Sequence, residues 1–141
     1  MDADLVNQVI DVAQRVVASA AISANGHGNV SLRVPGADEM YFTGGSSLRN
    51  HPAAAVVRVG LDGTLREGEL PPIQGAVVAM HTAMYEDHPD VGCVLHTHSP
   101  YATAYAVVRK SGLRRLRDRA RSEISRRITW ASSPRFSGTK T

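Results

Sequence analysis

Apolar residues recur at three- and four-residue steps at the start of the chain, through Val6, Val9, Ile10, Ala13, Val16, Val17 and Ala20. That period predicts an amphipathic helix. Asp2 and Asp4 stand where negative charge favours a helix N-terminus, and Ala24-Asn25-Gly26 carries the residue types that stop one. A glycine-rich stretch, Gly26-His27-Gly28-Asn29, leads into Val30-Ser31-Leu32-Arg33-Val34, where apolar and polar residues alternate as in a half-buried strand. Pro35-Gly36-Ala37-Asp38 is turn chemistry. Met40-Tyr41-Phe42-Thr43 predicts a second strand, closed by Gly44-Gly45. Two further strand-like runs, 55–59 and 64–66, flank Leu61-Asp62-Gly63, and Asp-Gly between such runs predicts a hairpin. Pro71 and Pro72 place a helix start nearby. Val77, Met80, Ala83 and Met84 carry that helix from Ile73 to Asp87, where His88-Pro89-Asp90 ends it. Val91 to His98 is rich in strand formers, and Pro100 opens a last helix running to Val108. This order predicts a layered α/β or α+β domain on a mixed or antiparallel sheet. Its strand-rich middle lacks the βαβ alternation of a dinucleotide-binding fold.

Composition narrows the class. The 141 residues suit one domain, and 43% hydrophobic content argues against a disordered chain. The single Cys93 excludes an intramolecular disulfide framework and fits a reducing, cytoplasmic setting. No apolar run approaches the ~18 residues of a membrane span. The acidic start Met1-Asp2-Ala3-Asp4 argues against a secretory signal. The net charge of +3 is split unevenly: residues 1–108 hold five basic and eleven acidic residues, residues 109–141 eleven basic and two acidic. A change of sign that sharp marks a boundary near residue 109.

His96-Thr97-His98 is the sharpest chemical feature. On a strand, residues i and i+2 face the same way, so two imidazoles project side by side. Such a pair supplies two of the three protein ligands typical of a catalytic zinc, or is a hydrogen-bonded pair with no metal. His81, on a helix near the sheet, reads as a hydrogen-bonded structural residue. His27, in the glycine loop, is placed to approach the pair. His51 and His88 precede prolines and are expected at the surface. Cys93 is expected to be buried, on the strand face opposite the two histidines.

Several motifs occur in a familiar order. They are Gly28-Asn29-Val30-Ser31-Leu32-Arg33, Tyr41-Phe42-Thr43-Gly44, Leu61-Asp62-Gly63, His81-Thr82-Ala83-Met84-Tyr85, His88-Pro89-Asp90-Val91-Gly92, and the run from Val94 to Ala104. Over about residues 5–108 the chain resembles the class II aldolase/adducin family. The resemblance implies a three-layer α/β/α domain with a central, mainly antiparallel sheet, here C-terminally truncated. It implies a zinc-dependent aldehyde lyase that cleaves a sugar phosphate or hydroxy-carbonyl compound by a retro-aldol reaction, usually as a ring-shaped homo-oligomer. His96 and His98 match two of the family's zinc ligands; Gly28, Asn29, Thr43 and Gly44 match its phosphate-contacting loops.

The chain departs from the family at chemically important positions. Val77 stands where the family carries its acid/base Glu, and Gly75 and Ala76 stand where paired serines hold phosphate. The family's third His ligand lies beyond the His-x-His strand, and no histidine follows His98. These departures keep a second reading open: a non-catalytic member, like the adducin head, or a decayed fragment. Residues 109–141 read as a basic tail, with a possible amphipathic helix over 113–128 and a disordered end. This tail reads first as an unselected replacement of the domain's end, then as a lineage-specific segment that packs on the domain, and last as an attachment to nucleic acid or an anionic membrane surface, because no base-reading motif is present.

Overall fold

The computed structural model describes residues 1–107. The expected boundary near residue 109 and the 113–128 helix lie outside them. Helix α1 spans Ala3–Ala18 and turns Val6, Val9 and Ala13 inward. Asp2 caps it, with one carboxylate oxygen accepting from the backbone N–H of Asp4 at 2.8 Å and of Leu5 at 3.3 Å. Replacing Asp2 with alanine is expected to cost about 1 kcal/mol, read as a lower urea midpoint with unchanged slope. The helix ends before Ala20 and well before the expected stop at Ala24–Gly26. Ser19 caps it, its hydroxyl donating to the Val16 carbonyl, and Ala20 turns left-handed with φ 55°.

Five strands follow: β1 (Gly28–Arg33), β2 (Glu39–Thr43), β3 (Val56–Gly60), β4 (Leu65–Glu67) and β5 (Cys93–Thr97). They form one sheet in the order β4-β3-β2-β1-β5, antiparallel throughout. The Leu61-Asp62-Gly63 turn joins β3 to β4 as its sequence predicts. Gly63 takes φ 82°, and the Asp62 carboxylate accepts from the Thr64 backbone N–H.

Helix α2 (Gly75–Asp87) follows a short 3-10 turn over Pro72–Gln74, and α3 (Pro100–Val107) follows β5. No described helix is long and apolar enough to cross a membrane.

The two faces of the sheet bury different cores. On one face Val30, Tyr41 and Val56 meet Val6, Val9 and Ala13 of α1. On the other, Met40, Phe42, Val57 and Val59 meet Val78 and Tyr85 of α2. The result is the expected α/β/α layering. β1 differs from the half-buried strand its alternation predicts: Gly28 to Ser31 are all buried, because β1 lies between two strands and under a helix on each side. Helix α2 also turns an unexpected face inward. Gln74, Val78, His81 and Tyr85 are buried, while Met80 and Met84 are each 41% exposed. Cys93 is exposed rather than buried; among the described residues its strand β5 pairs on one side only, with β1. His51 is buried rather than superficial, its Nδ1 lying 3.2 Å from the Ser47 carbonyl oxygen; His88 is exposed as expected.

Candidate functional site

The β1–β5 register brings the sequence-predicted residues together at one end of the sheet. Gly28 pairs with Thr97, and Asn29 with His96. Gly28 is required by close approach: a Cβ there would lie 2.5 Å from the His96 carbonyl oxygen. The loop leading into β1 is tied to the end of β5, with the His98 N–H donating to the His27 carbonyl and the Ser23 N–H donating to the His98 carbonyl.

Asn29 is buried, and its side-chain N–H groups donate to the carbonyls of Thr43 at 3.0 Å and Gly45 at 2.9 Å. The Thr43 hydroxyl accepts from the Val30 backbone N–H at 3.0 Å. In this geometry both side chains spend their donors on the backbone and hold the β2 end against β1. Gly44 lies beyond Thr43, in a cleft of about 730 Å³ lined also by Gly45, Ala55, Gly68 and Glu69.

His96 and His98 face each other with ring centroids 5.0 Å apart, and the exposed His27 ring stands 5.6 Å from His98. Burial, and then the neighbouring His98, lower the pKa of His96, favouring the neutral imidazole that a metal requires. His96 Nδ1 is buried and has no hydrogen-bond partner among the described residues. Among the described residues no three His, Cys, Asp or Glu side chains converge on one point. The pair therefore fits two positions around a divalent ion and leaves the others to donors elsewhere. Val77 offers none: its alkyl side chain packs against the Phe42–Val78 core. Gly75 and Ala76 bring no side-chain donor to the start of α2.

Beneath this pair lies a buried polar group that sequence reasoning did not assemble. The Ser31 hydroxyl lies 2.7 Å from His81 Nδ1 and 2.8 Å from the Tyr85 hydroxyl. All three residues are at most 2% exposed. Burial, with a smaller contribution from His96, lowers the His81 pKa to about 4, and burial pushes the Tyr85 phenol up to about 12. Arg33 holds the far side of Tyr85, donating to its carbonyl at 2.7 Å and lying 4.8 Å from its ring centroid. The available signal was the 74-78-81-85 spacing, one face of a helix, obscured by the more apolar Val77–Met84 stripe.

The chain is similar to several known proteins. The L-ribulose-5-phosphate 4-epimerase UlaF of Salmonella paratyphi B is 43% identical over 51 residues, covering 36% of this chain and 22% of that protein. The methylthioribulose-1-phosphate dehydratase of Gluconacetobacter diazotrophicus is 34% identical over 82 residues, covering 57% and 38%. Among solved structures, an L-fuculose 1-phosphate aldolase superposes with a TM-score of 0.65 at 24% identity, over 78% of this chain and 51% of that one. YgbL of Escherichia coli gives 0.65 at 27% identity, over 75% and 49%. The chain thus spans about half, or less, of the length of these relatives. A model of the Class II Aldolase and Adducin N-terminal domain matches residues 7–137, continuing past the residue-108 limit of the sequence motifs. With the α/β/α sheet and the paired histidines at its edge, that match makes the chain a member of the class II aldolase and adducin family.

Proposed function

We propose that this domain binds a sugar-type hydroxy-carbonyl compound beside a divalent cation held by His96 and His98, and that its chemistry is of the aldehyde-lyase type. The carrying observation is the His96–His98 pair at the end of β5: His96 lies directly across from Asn29, His98 follows the strand's last residue, and β1 separates them from Thr43 on β2. Zinc suits imidazole donors, and an ion there supplies Lewis-acid polarisation of a carbonyl oxygen. The chain's own residues shape the place. His96 and His98 present ring nitrogens, Asn29 and Thr43 fix the β1 and β2 ends, and Gly28 lets β5 close on β1. The relatives' printed names, an aldolase, an epimerase and a dehydratase for phosphorylated sugars, support this substrate class. Neither Asn29 nor Thr43 points a free side-chain donor at a ligand, so phosphate is the less supported part of it.

One observation favours a second reading, a non-catalytic family member. Val77 fills core space where the family's acid/base carboxylate would stand. The test is a cleavage assay with zinc over a panel of ketose 1-phosphates and their unphosphorylated forms. Wild-type turnover that disappears in His96→Ala supports the lyase reading. No wild-type turnover, with cleavage appearing in Val77→Glu, supports the second.

A further inference from the structure

Among the described residues, His81 and His96 each keep one buried ring nitrogen without a hydrogen-bond partner, Nε2 of His81 and Nδ1 of His96. The two rings belong to one neighbourhood. Ser31, which holds His81 Nδ1, is two residues along β1 from Asn29, the Cα partner of His96. Residues two apart on a strand share a face, and His96 is close enough to act electrostatically on His81. With Nδ1 committed to Ser31, Nε2 is the one nitrogen His81 has left to offer. A neutral imidazole carries one donor and one acceptor, so the two unpartnered atoms are complementary. Buried polar atoms in native proteins are almost always paired.

We propose that His81 is a positioning residue for His96: a hydrogen bond between His81 Nε2 and His96 Nδ1, closed by a small ring rotation or one bridging water, fixes which His96 nitrogen faces a ligand. The proposal rests on the reading of His96 as a ligand-binding residue. If His96 offers Nε2, its Nδ1 must carry the hydrogen. The chain of donors then runs from His96 Nδ1–H to His81 Nε2, from His81 Nδ1–H to Ser31 Oγ, and from the Ser31 hydroxyl to the Tyr85 oxygen. Ser31 and Tyr85 thereby act on His96 without touching anything it binds.

The experiment is a long-range proton–nitrogen correlation spectrum of the histidine rings in the nitrogen-15-labelled full chain at neutral pH, followed by a zinc titration. The wild type is expected to hold His96 in the Nδ1–H form. His81→Phe, which keeps a ring beside Phe42, should release it to the Nε2–H form that solvated imidazole prefers. It should also weaken zinc about 10- to 100-fold, the usual effect of removing a ligand's outer partner. His81→Gln, which keeps an acceptor, should restore most of both. An unchanged His96 tautomer in folded His81→Phe overturns the proposal, and Ser31→Ala carries the same readout should that variant not fold. A tautomer shift without zinc binding in the wild type overturns the metal reading and leaves the positioning role standing. Zinc binding with His96 indifferent to both variants does the reverse.

Discussion

Gly28→Ala is expected to part β5 from β1 and to lose both stability and the site. The added Cβ would sit 2.5 Å from the His96 carbonyl oxygen and 3.4 Å from the Thr97 Cα. The close neighbour is backbone, so no side chain can swing aside, and relief requires moving the strand that carries His96 and leads directly into His98. Overpacking of this kind costs about 1–3 kcal/mol and occasionally more; a clash with backbone belongs at the upper end. Gly75→Ala is the control. Nothing lies within 4 Å of its Cβ position, and its φ of −55° is helical, so that variant should be neutral or more stable by up to about 1 kcal/mol. Urea denaturation compares the two, and the β5 amide signals should shift only in Gly28→Ala. Equal stability of both variants would show that Gly28 is not a packing requirement.

Acid should destabilise the domain through His81. Its folded pKa, about 4, lies below the ordinary 6.5 because burial opposes the charge. Between these values the unfolded chain binds the proton and the folded chain does not. The contribution is therefore complete above pH 6.5 and declines as pH falls toward 4, by about 1.4 kcal/mol per unit and about 3 kcal/mol in all. His81 should contribute a fall of this size to the wild-type unfolding free energy across that window, in addition to the fall from His96. In His81→Phe the His81 part of the slope should vanish. An identical slope in the variant would mean that His81 is not the group being protonated.

The strands, the Asp62-Gly63 hairpin and the His-x-His pair were legible because each depends on local pattern. Alternation marks a strand, Asp-Gly a turn, and i, i+2 spacing a shared face. The inward face of α2 was legible only at His81, expected near the sheet as a hydrogen-bonded structural residue and found so. Val77, Met80 and Met84 form the more apolar stripe, yet His81 and Tyr85 go inside because Ser31, fifty residues earlier in the chain for His81, satisfies both. A polar residue's tolerance of burial depends on a partner that periodicity does not reveal. The same holds for Asn29 and Thr43. Sequence resemblance places them at a phosphate loop, while their hydrogen bonds join strand ends. His51, read as superficial from its proline neighbour, is covered because its loop folds back so that Nδ1 reaches the Ser47 carbonyl.

His96 and His98 are proposed to hold a divalent cation together. Equilibrium dialysis of the full chain, purified without chelator, against zinc or cobalt tests it directly. About one ion per chain is expected, bound weakly because the described residues supply two ligands, and lost in both His96→Ala and His98→Ala. Binding in the wild type no stronger than in the double variant would contradict it.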